Sequence, residues 1–148
     1  MVPARTSTRL ALVLAAIVLT GTGGAAIWVA MSLQELVAQS QLIVVGEIVA
    51  LREQSTSALD VASIRIEESL LAKPAVNGLS EARLLVPSRN RGLASSDAVF
   101  YKVGQRGIWF LRRDPASKDD LYLADHPHRL KSIAELPAVR AYLKSATP

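Results

Sequence analysis

Cysteine is absent from the 148-residue chain. Its absence excludes disulfide bonds, thiolate metal ligands, a cysteine nucleophile and lipidation of an N-terminal cysteine. The chain also has no internal repeat, low-complexity tract or linker-like stretch that would divide it into several globular domains. Half of its residues are apolar, so a folded domain of this sequence is stabilised by core packing rather than by covalent cross-links.

Recognisable catalytic patterns are missing as well. Glu67 and Glu68 are adjacent, so on a strand their side chains point to opposite faces and cannot act as a carboxylate pair. Ser95-Ser96-Asp97 has no general base at a defined spacing and no nucleophile-elbow pattern. The glycine-containing stretch 20–24 lies in the N-terminal hydrophobic segment and is not a phosphate loop. We therefore predict that the protein is not an enzyme and needs no cofactor.

The chain carries a small excess of positive charge, +4 at pH 7. Two of the 17 basic residues, Arg5 and Arg9, precede the hydrophobic segment, which leaves 15 basic and 13 acidic residues in the rest of the chain. This excess is too small to indicate nucleic acid as a partner, and we predict that none is bound.

Arginines nevertheless concentrate in the second half of the chain, near Tyr101 and Trp109. One interpretation is an electrostatic groove for an anionic polymer or a lipid headgroup. The other is a solvated face whose charges are balanced by nearby aspartates. The clustered arginines are Arg83, Arg89, Arg91, Arg106, Arg112 and Arg113.

No charged residue occurs between Arg9 and Glu35. Within this interval Leu10–Leu19 is an uninterrupted apolar run, and the small residues after it are those that a signal peptidase accepts, with a cut after Ala26. Alternatively, the 22 residues Leu10–Met31 stay attached as a hydrophobic helix of about 33 Å, which is long enough to anchor the chain in a bilayer.

Residues 1–31 are thus predicted to be a signal peptide or a membrane anchor, and residues 32–148 an exported domain. Because Arg5 and Arg9 stay inside, both alternatives place the domain outside the cytoplasm. The domain is then either secreted or periplasmic, or tethered to the cytoplasmic membrane. The membrane is a partner only if the segment is not cleaved.

The stretch Gln41–Leu51 (QLIVVGEIVAL) organises the rest of the domain. Alternate side chains on a strand point to opposite faces, and here both sets are apolar apart from Gln41 at the start and Glu47. A strand that is apolar on both faces is covered on both, and Gly46 at its midpoint predicts a bulge or sharp coiling. Glu47 is either a buried acid that marks a site or one member of an ion pair.

The remaining pattern predicts four further strands and two short helices. Ser32 and Glu35 form a capping box for a helix before the first strand. The fold class is therefore mainly β: a small five-stranded antiparallel Greek-key barrel of the OB type, preceded by an N-terminal hydrophobic helix, with an open β-sandwich as the alternative. Helices are predicted at Leu33–Ser40 and Pro137–Ser145, and further strands at Val61–Glu68, Ala82–Pro87, Gly107–Arg112 and Leu121–Ala124.

The order of these motifs resembles a group of uncharacterised bacterial exported proteins with an OB-like domain. More distantly, it is similar to the netrin-like domains of the tissue inhibitors of metalloproteinases. The resemblance implies the OB-like fold and, as an alternative function, inhibition of a protease; those inhibitors use an N-terminal cysteine, which this chain lacks. The resemblance rests on Ser32–Val37, Ser40–Ile48, Ile64–Leu71, Val103–Arg106 and Trp109–Leu111.

One stretch, Asp125-His126-Pro127-His128, has metal-ligand chemistry. In an extended backbone His126 and His128 face the same way, and Asp125 could complete a partial site for zinc or copper. The alternative is a chain exit fixed by Pro127, with the imidazoles in solvent.

Together these features predict an exported or membrane-anchored, non-enzymatic binding module of the cell envelope, whose partner is an envelope or extracellular protein. The alternatives are a periplasmic metal-handling protein that uses Asp125, His126 and His128, and a cysteine-free domain of the protease-inhibitor kind.

Overall fold

The computed structural model of the protein describes residues 28–73, 78–90 and 97–146. Most of the predicted N-terminal hydrophobic helix lies outside these residues, so the signal-peptide or anchor assignment stays a prediction. None of the helices in the described part is long and apolar enough to cross a bilayer. The helices are α1 (Leu33–Gln39) and α2 (Leu136–Ala146), and the strands are β1 (Leu42–Arg52), β2 (Leu59–Ala72), β3 (Glu81–Pro87), β4 (Arg106–Arg113), β5 (Leu121–Leu123) and β6 (Leu130–Lys131).

Five of the strands close into a barrel in the order β1, β2, β3, β5, β4, and β4 pairs back with β1. The predicted mainly-β fold, a small OB-like barrel with a helix before the first strand and a helix at the C-terminal end, is therefore confirmed. One pairing, between β3 and β5, is parallel rather than antiparallel. A closed barrel with an odd number of strands cannot alternate direction all the way round, so one parallel pair is unavoidable.

Strand β1 is buried on both faces over Leu42–Ile48, as its sequence predicts, whereas its last four residues, Val49 and Leu51 among them, are exposed. Leu42, Val44 and Ile48 point into the barrel interior, where they pack among the buried side chains of the other strands. Ile43 and Val45 point outward into a second apolar cluster. This second cluster also contains Leu36 from α1, Val139 from α2, and Ile108 and Phe110 from β4.

The helix before β1 begins with the predicted capping box. The Ser32 hydroxyl accepts a hydrogen bond from the Glu35 backbone N–H at 3.2 Å, and Glu35 Oε2 accepts one from the Ser32 N–H at 2.8 Å. Strand β2 runs to Ala72, beyond its predicted end at Glu68, because its last residues pair with the start of β1. This pairing lengthens the wall of the barrel on which α2 lies.

Gly46 lies at an irregularity in the pairing of β1 with β2. The register shifts between Val45 and Gly46, at the place where the sequence predicts a bulge or sharp coiling. The backbones are so close that a Cβ at position 46 would lie 2.6 Å from the carbonyl oxygen of Arg65 and 2.8 Å from Ile64 Cγ2. On the barrel side, Trp109 Nε1–H donates a hydrogen bond of 2.9 Å to the Gly46 carbonyl. Only glycine fits this position without moving the neighbouring strand.

We expect the substitution Gly46→Ala to lower the free energy of unfolding by about 1–3 kcal/mol, because the added methyl group forces β1 and β2 apart. Chemical denaturation monitored by tryptophan fluorescence measures the change. Ser69→Ala, at an exposed position of β2, is the control and should change the stability by less than about 0.5 kcal/mol. Equal stability of Gly46→Ala and the parent chain would contradict the proposed close contact.

Candidate functional site

The two histidines of the predicted metal site contact the segment that precedes α1. We call Trp28–Met31 the strap. His128 Nδ1 accepts a hydrogen bond from the Met31 backbone N–H at 3.0 Å, and His126 Nε2 lies 3.0 Å from the Val29 carbonyl oxygen. His126 Nδ1 accepts the His128 N–H at 3.1 Å. The two imidazoles thus fasten the strap to the chain that leaves β5.

These contacts determine the tautomer of both rings. A nitrogen that accepts a backbone N–H carries no proton, so Nδ1 of His126 and of His128 is unprotonated and Nε2 bears the hydrogen. His126 Nε2–H then donates to the Val29 carbonyl. The ring of His126 also meets Trp28 edge to face, with the ring centroids 4.7 Å apart.

The third predicted ligand, Asp125, is directed toward arginines rather than toward the imidazoles. Its carboxylate accepts two hydrogen bonds from Arg112, at 3.2 and 2.5 Å, and Arg129 Nε lies 3.2 Å from Oδ1. Within the described residues no group of three or more His, Cys, Asp or Glu side chains is arranged to hold a metal. Metal binding by Asp125, His126 and His128 stays a prediction, and it would require displacement of the strap hydrogen bonds.

Arg129 is a buried cation that sequence reasoning missed. The residue is 2% exposed, and it donates to the Phe110 carbonyl at 3.3 Å and to Gln39 Oε1 at 2.7 Å. Burial lowers its pKa, and the adjacent Asp125 opposes this effect. Arg129 therefore ties α1, β4 and the segment after β5 together. A single arginine in a polar stretch shows no sequence pattern from which its burial between three elements could be predicted.

The strap, α1 and this charged cluster enclose an open cleft of about 600 Å³. Its charged groups already have partners. Asp125 is shared by Arg112 and Arg129, and Glu35 caps α1 through Ser32. The arrangement is that of a fastening between elements rather than of a site that awaits a ligand.

Three of the six clustered arginines are neutralised by carboxylates. Arg106 pairs with Glu67, Arg112 with Asp125, and Arg113 with Asp120. Arg89 lies 5.3 Å from the ring centroid of Phe100, and Arg91 lies outside the described residues. The interpretation of a solvated face balanced by acids therefore fits these three arginines.

The two aromatic residues near the arginines are in the core. Trp109 is fully buried, and Tyr101 is 6% exposed and donates its hydroxyl to the Ala124 carbonyl at 2.7 Å. Burial raises the pKa of Tyr101 above its usual range. Neither ring lies on the surface, where it could stack on a ligand. Glu47, the other residue singled out on β1, forms an ion pair of 3.1 Å with Arg65, in accordance with the ion-pair alternative.

Two arginines on the outer face of the barrel differ from those that have carboxylate partners. Within the described residues, the side chains of Arg52 and Arg83 form no ion pair and no hydrogen bond with another residue, and both are exposed. They line the same hollow of about 200 Å³, which we call the arginine hollow. Its other lining residues include Gln54, Ser63 and Glu81. Ser63 on β2 pairs directly with Arg83 on β3.

An apolar groove of about 480 Å³ is lined in part by Leu85 of β3, which pairs with Val61 of the arginine hollow. Leu85 lies two residues after Arg83 on β3, hence on the same face, and its partner on β5 is Leu123. A solvated outer face normally carries polar side chains at these positions, so the apolar residues are unexpected. The apolar groove is lined by Leu59, Leu85, Pro87, Val99, Leu123 and Trp28, with Tyr101 and the acids Asp97 and Asp125 also at its wall.

The arginine hollow and the apolar groove together form the candidate binding site, which we call the outer-face site. Sequence reasoning placed Arg83 in the arginine cluster but gave Arg52 no role of its own. The available signal was the β3 sequence, in which Leu85 and Pro87 are apolar although they alternate with the buried Leu84 and Val86.

The ion pairs of Asp125 with Arg112 and Arg129 make the stability of the domain dependent on pH. Burial raises the pKa of Asp125, but the hydrogen bonds and charge of Arg112 outweigh it, so the net pKa lies below the usual value. As the pH falls below about 4, the unfolded state binds a proton before the folded state does. The stabilisation by ionised Asp125 is therefore complete above this pH and is lost as the pH falls through the folded-state pKa.

We expect the difference in unfolding free energy between the parent chain and Asp125→Asn to be constant above about pH 5 and to shrink below about pH 4. Urea denaturation of both proteins between pH 2 and 7, at about one measurement per pH unit, gives this difference. Asp119→Asn, at an exposed position in the turn before β5, is the matched control and should keep a constant difference. A difference for Asp125→Asn that grows as the pH falls would contradict the ion pair.

Comparison with known proteins adds no family assignment. No protein-family model matches the chain, and no curated protein matches it. The resemblance to exported bacterial OB-like proteins and to netrin-like domains, with the protease-inhibitor alternative that it implies, stays an expectation.

Proposed function

We propose that the protein is an exported or membrane-anchored, non-enzymatic binding module of the cell envelope. Its partner, an envelope or extracellular protein, binds at the outer-face site. One observation carries this proposal: an apolar groove and a pair of arginines without carboxylate partners in the described residues are neighbours on one face of the barrel. Apolar surface beside arginine is the composition of a recognition surface.

The packing of the barrel interior supports a site on the outside. Trp109, Tyr122 and Leu84 fill the interior and are each at most 1% exposed. A barrel of this size leaves no interior space for a ligand once its side chains are in place. Barrels of the OB type use the surface of their second and third strands and the adjoining loops, and the outer-face site lies on these strands.

The hydrogen bonds of the strap support a non-enzymatic role. A general base needs a free lone pair within reach of a substrate proton. The Nδ1 lone pairs of His126 and His128 accept backbone N–H groups, and the Asp125 carboxylate is held by two arginines. The groups that could move a proton in this region are therefore already used to hold the fold.

The strap also supports a close connection between the domain and the hydrophobic segment. Val29 and Met31, at the end of the predicted hydrophobic segment Leu10–Met31, are hydrogen-bonded to His126 and His128, so the folded domain includes the end of that segment. If the segment is retained in the membrane, the outer-face site is presented near the bilayer surface, because Trp28 lines the apolar groove.

Export is tested by fusing alkaline phosphatase to the C terminus of the full-length chain, since this enzyme forms its disulfides and becomes active only outside the cytoplasm. We expect phosphatase activity in intact cells. Replacing Leu14 and Ile17 in the apolar run by Arg should abolish it, because charges prevent membrane insertion. An inactive phosphatase fusion, with an active β-galactosidase fusion at the same point, would contradict export.

Binding at the outer-face site is tested with a photo-crosslinking phenylalanine analogue at Leu85 of the full-length chain in the cell. We expect a discrete adduct with one exported protein, because this position lies in the apolar groove. The same analogue at Lys144, exposed on α2, is the control and should give no adduct. Equal adducts from both positions, or none from Leu85, would contradict the proposed site.

A further inference from the structure

The chemistry of the outer-face site specifies the kind of ligand it accepts. We infer that it binds an extended peptide segment of the partner protein, which presents an acidic side chain to Arg52 and Arg83 and, two residues away, an apolar side chain to the apolar groove. This inference rests on the proposed function and names its ligand.

The spacing along β3 favours an extended peptide. Arg83 and Leu85 are two residues apart on one strand face, so their side chains are about 6.6 Å apart along the strand. An extended peptide repeats its own side chains with the same period. An acidic residue and an apolar residue separated by one residue therefore match Arg83 and Leu85 without distortion of either chain.

The arginines favour a carboxylate as the acidic group. A guanidinium is planar and donates two parallel hydrogen bonds to one carboxylate. Ser63 and Gln54 also line the arginine hollow and can complete its hydrogen bonding. Six arginines of the described residues already form ion pairs with carboxylates of the same chain, unlike Arg52 and Arg83. They are Arg65, Arg106, Arg112, Arg113, Arg129 and Arg140.

The surrounding charges argue against a polyanion. Glu81 lies at one side of the arginine hollow, and Asp97 lies at the wall of the apolar groove. A nucleic acid or polyphosphate that followed the site would bring its charges against these carboxylates.

The strand pairing defines how the peptide lies. Strand β3 is paired with β2 on one edge and with β5 on the other, so the peptide cannot join the sheet as an added strand at this position. It lies over the face, along β3, and is held by its side chains. Recognition therefore depends on which side chains the peptide carries.

The test uses the full-length chain in detergent micelles and a phage-displayed library of random dodecapeptides as the probe. We expect enrichment of peptides with Asp or Glu separated by one residue from Leu, Ile or Phe. Binding of a synthetic enriched peptide should weaken at least about tenfold for Arg83→Ala and for Leu85→Ser, as loss of a central charged or apolar contact implies. The matched control is Arg113→Ala, an exposed arginine whose partner is Asp120, and it should bind like the parent chain.

The other outcomes separate this inference from the proposed function. If the enriched peptides are neutral and apolar, and their binding is lost with Leu85→Ser but not with Arg83→Ala, the inference of an acidic ligand is wrong. The outer-face site is then still supported as the binding site. Peptides that bind equally to both variants, or a library that yields none, overturn the ligand and the site together. If polyphosphate binds and no peptide is enriched, the inferred peptide ligand is wrong and the ligand is a polyanion. Unchanged melting temperatures of the variants exclude misfolding as the cause.

Discussion

The structure depends on strand β1, which is buried on both faces over Leu42–Ile48. Val44 faces the barrel interior and Ile43, its neighbour in the chain, faces the cluster formed with α1 and α2. Because alternate side chains of β1 serve two separate apolar clusters, the barrel cannot be complete without the helices that cover its outside. Loss of either layer would expose one face of the same strand to water.

Closure of the barrel decides where recognition can occur. Five strands filled by side chains leave no central cavity, and the odd strand number places one parallel pair, β3 with β5, in the wall. This parallel pair carries Leu85 and Leu123 on the outside. The apolar groove is thus a property of the wall at this pair, whereas the helices cover the wall on the side of β1.

Two kinds of arginine in this chain have different physical roles. Arg129 is buried and joins three elements, so its charge is compensated by Asp125 and by oxygen acceptors within the fold. Arg52 and Arg83 are exposed on the outer face, beside the apolar groove. A buried cation needs internal partners to offset its loss of hydration, whereas an exposed cation does not. This difference is why the exposed pair is the stronger candidate for recognition.

The sequence by itself determined the elements and the fold class. The two-sided apolar pattern of β1, the bulge at Gly46 and the Ser32–Glu35 capping box depend on local periodicity and backbone sterics, which can be read along the chain. Only the tertiary structure decided the partners. Asp125 and His126 have the composition of metal ligands, yet the fold brings arginines and the strap beside them. Pairing between residues far apart in the chain depends on barrel closure, and local sequence does not encode it.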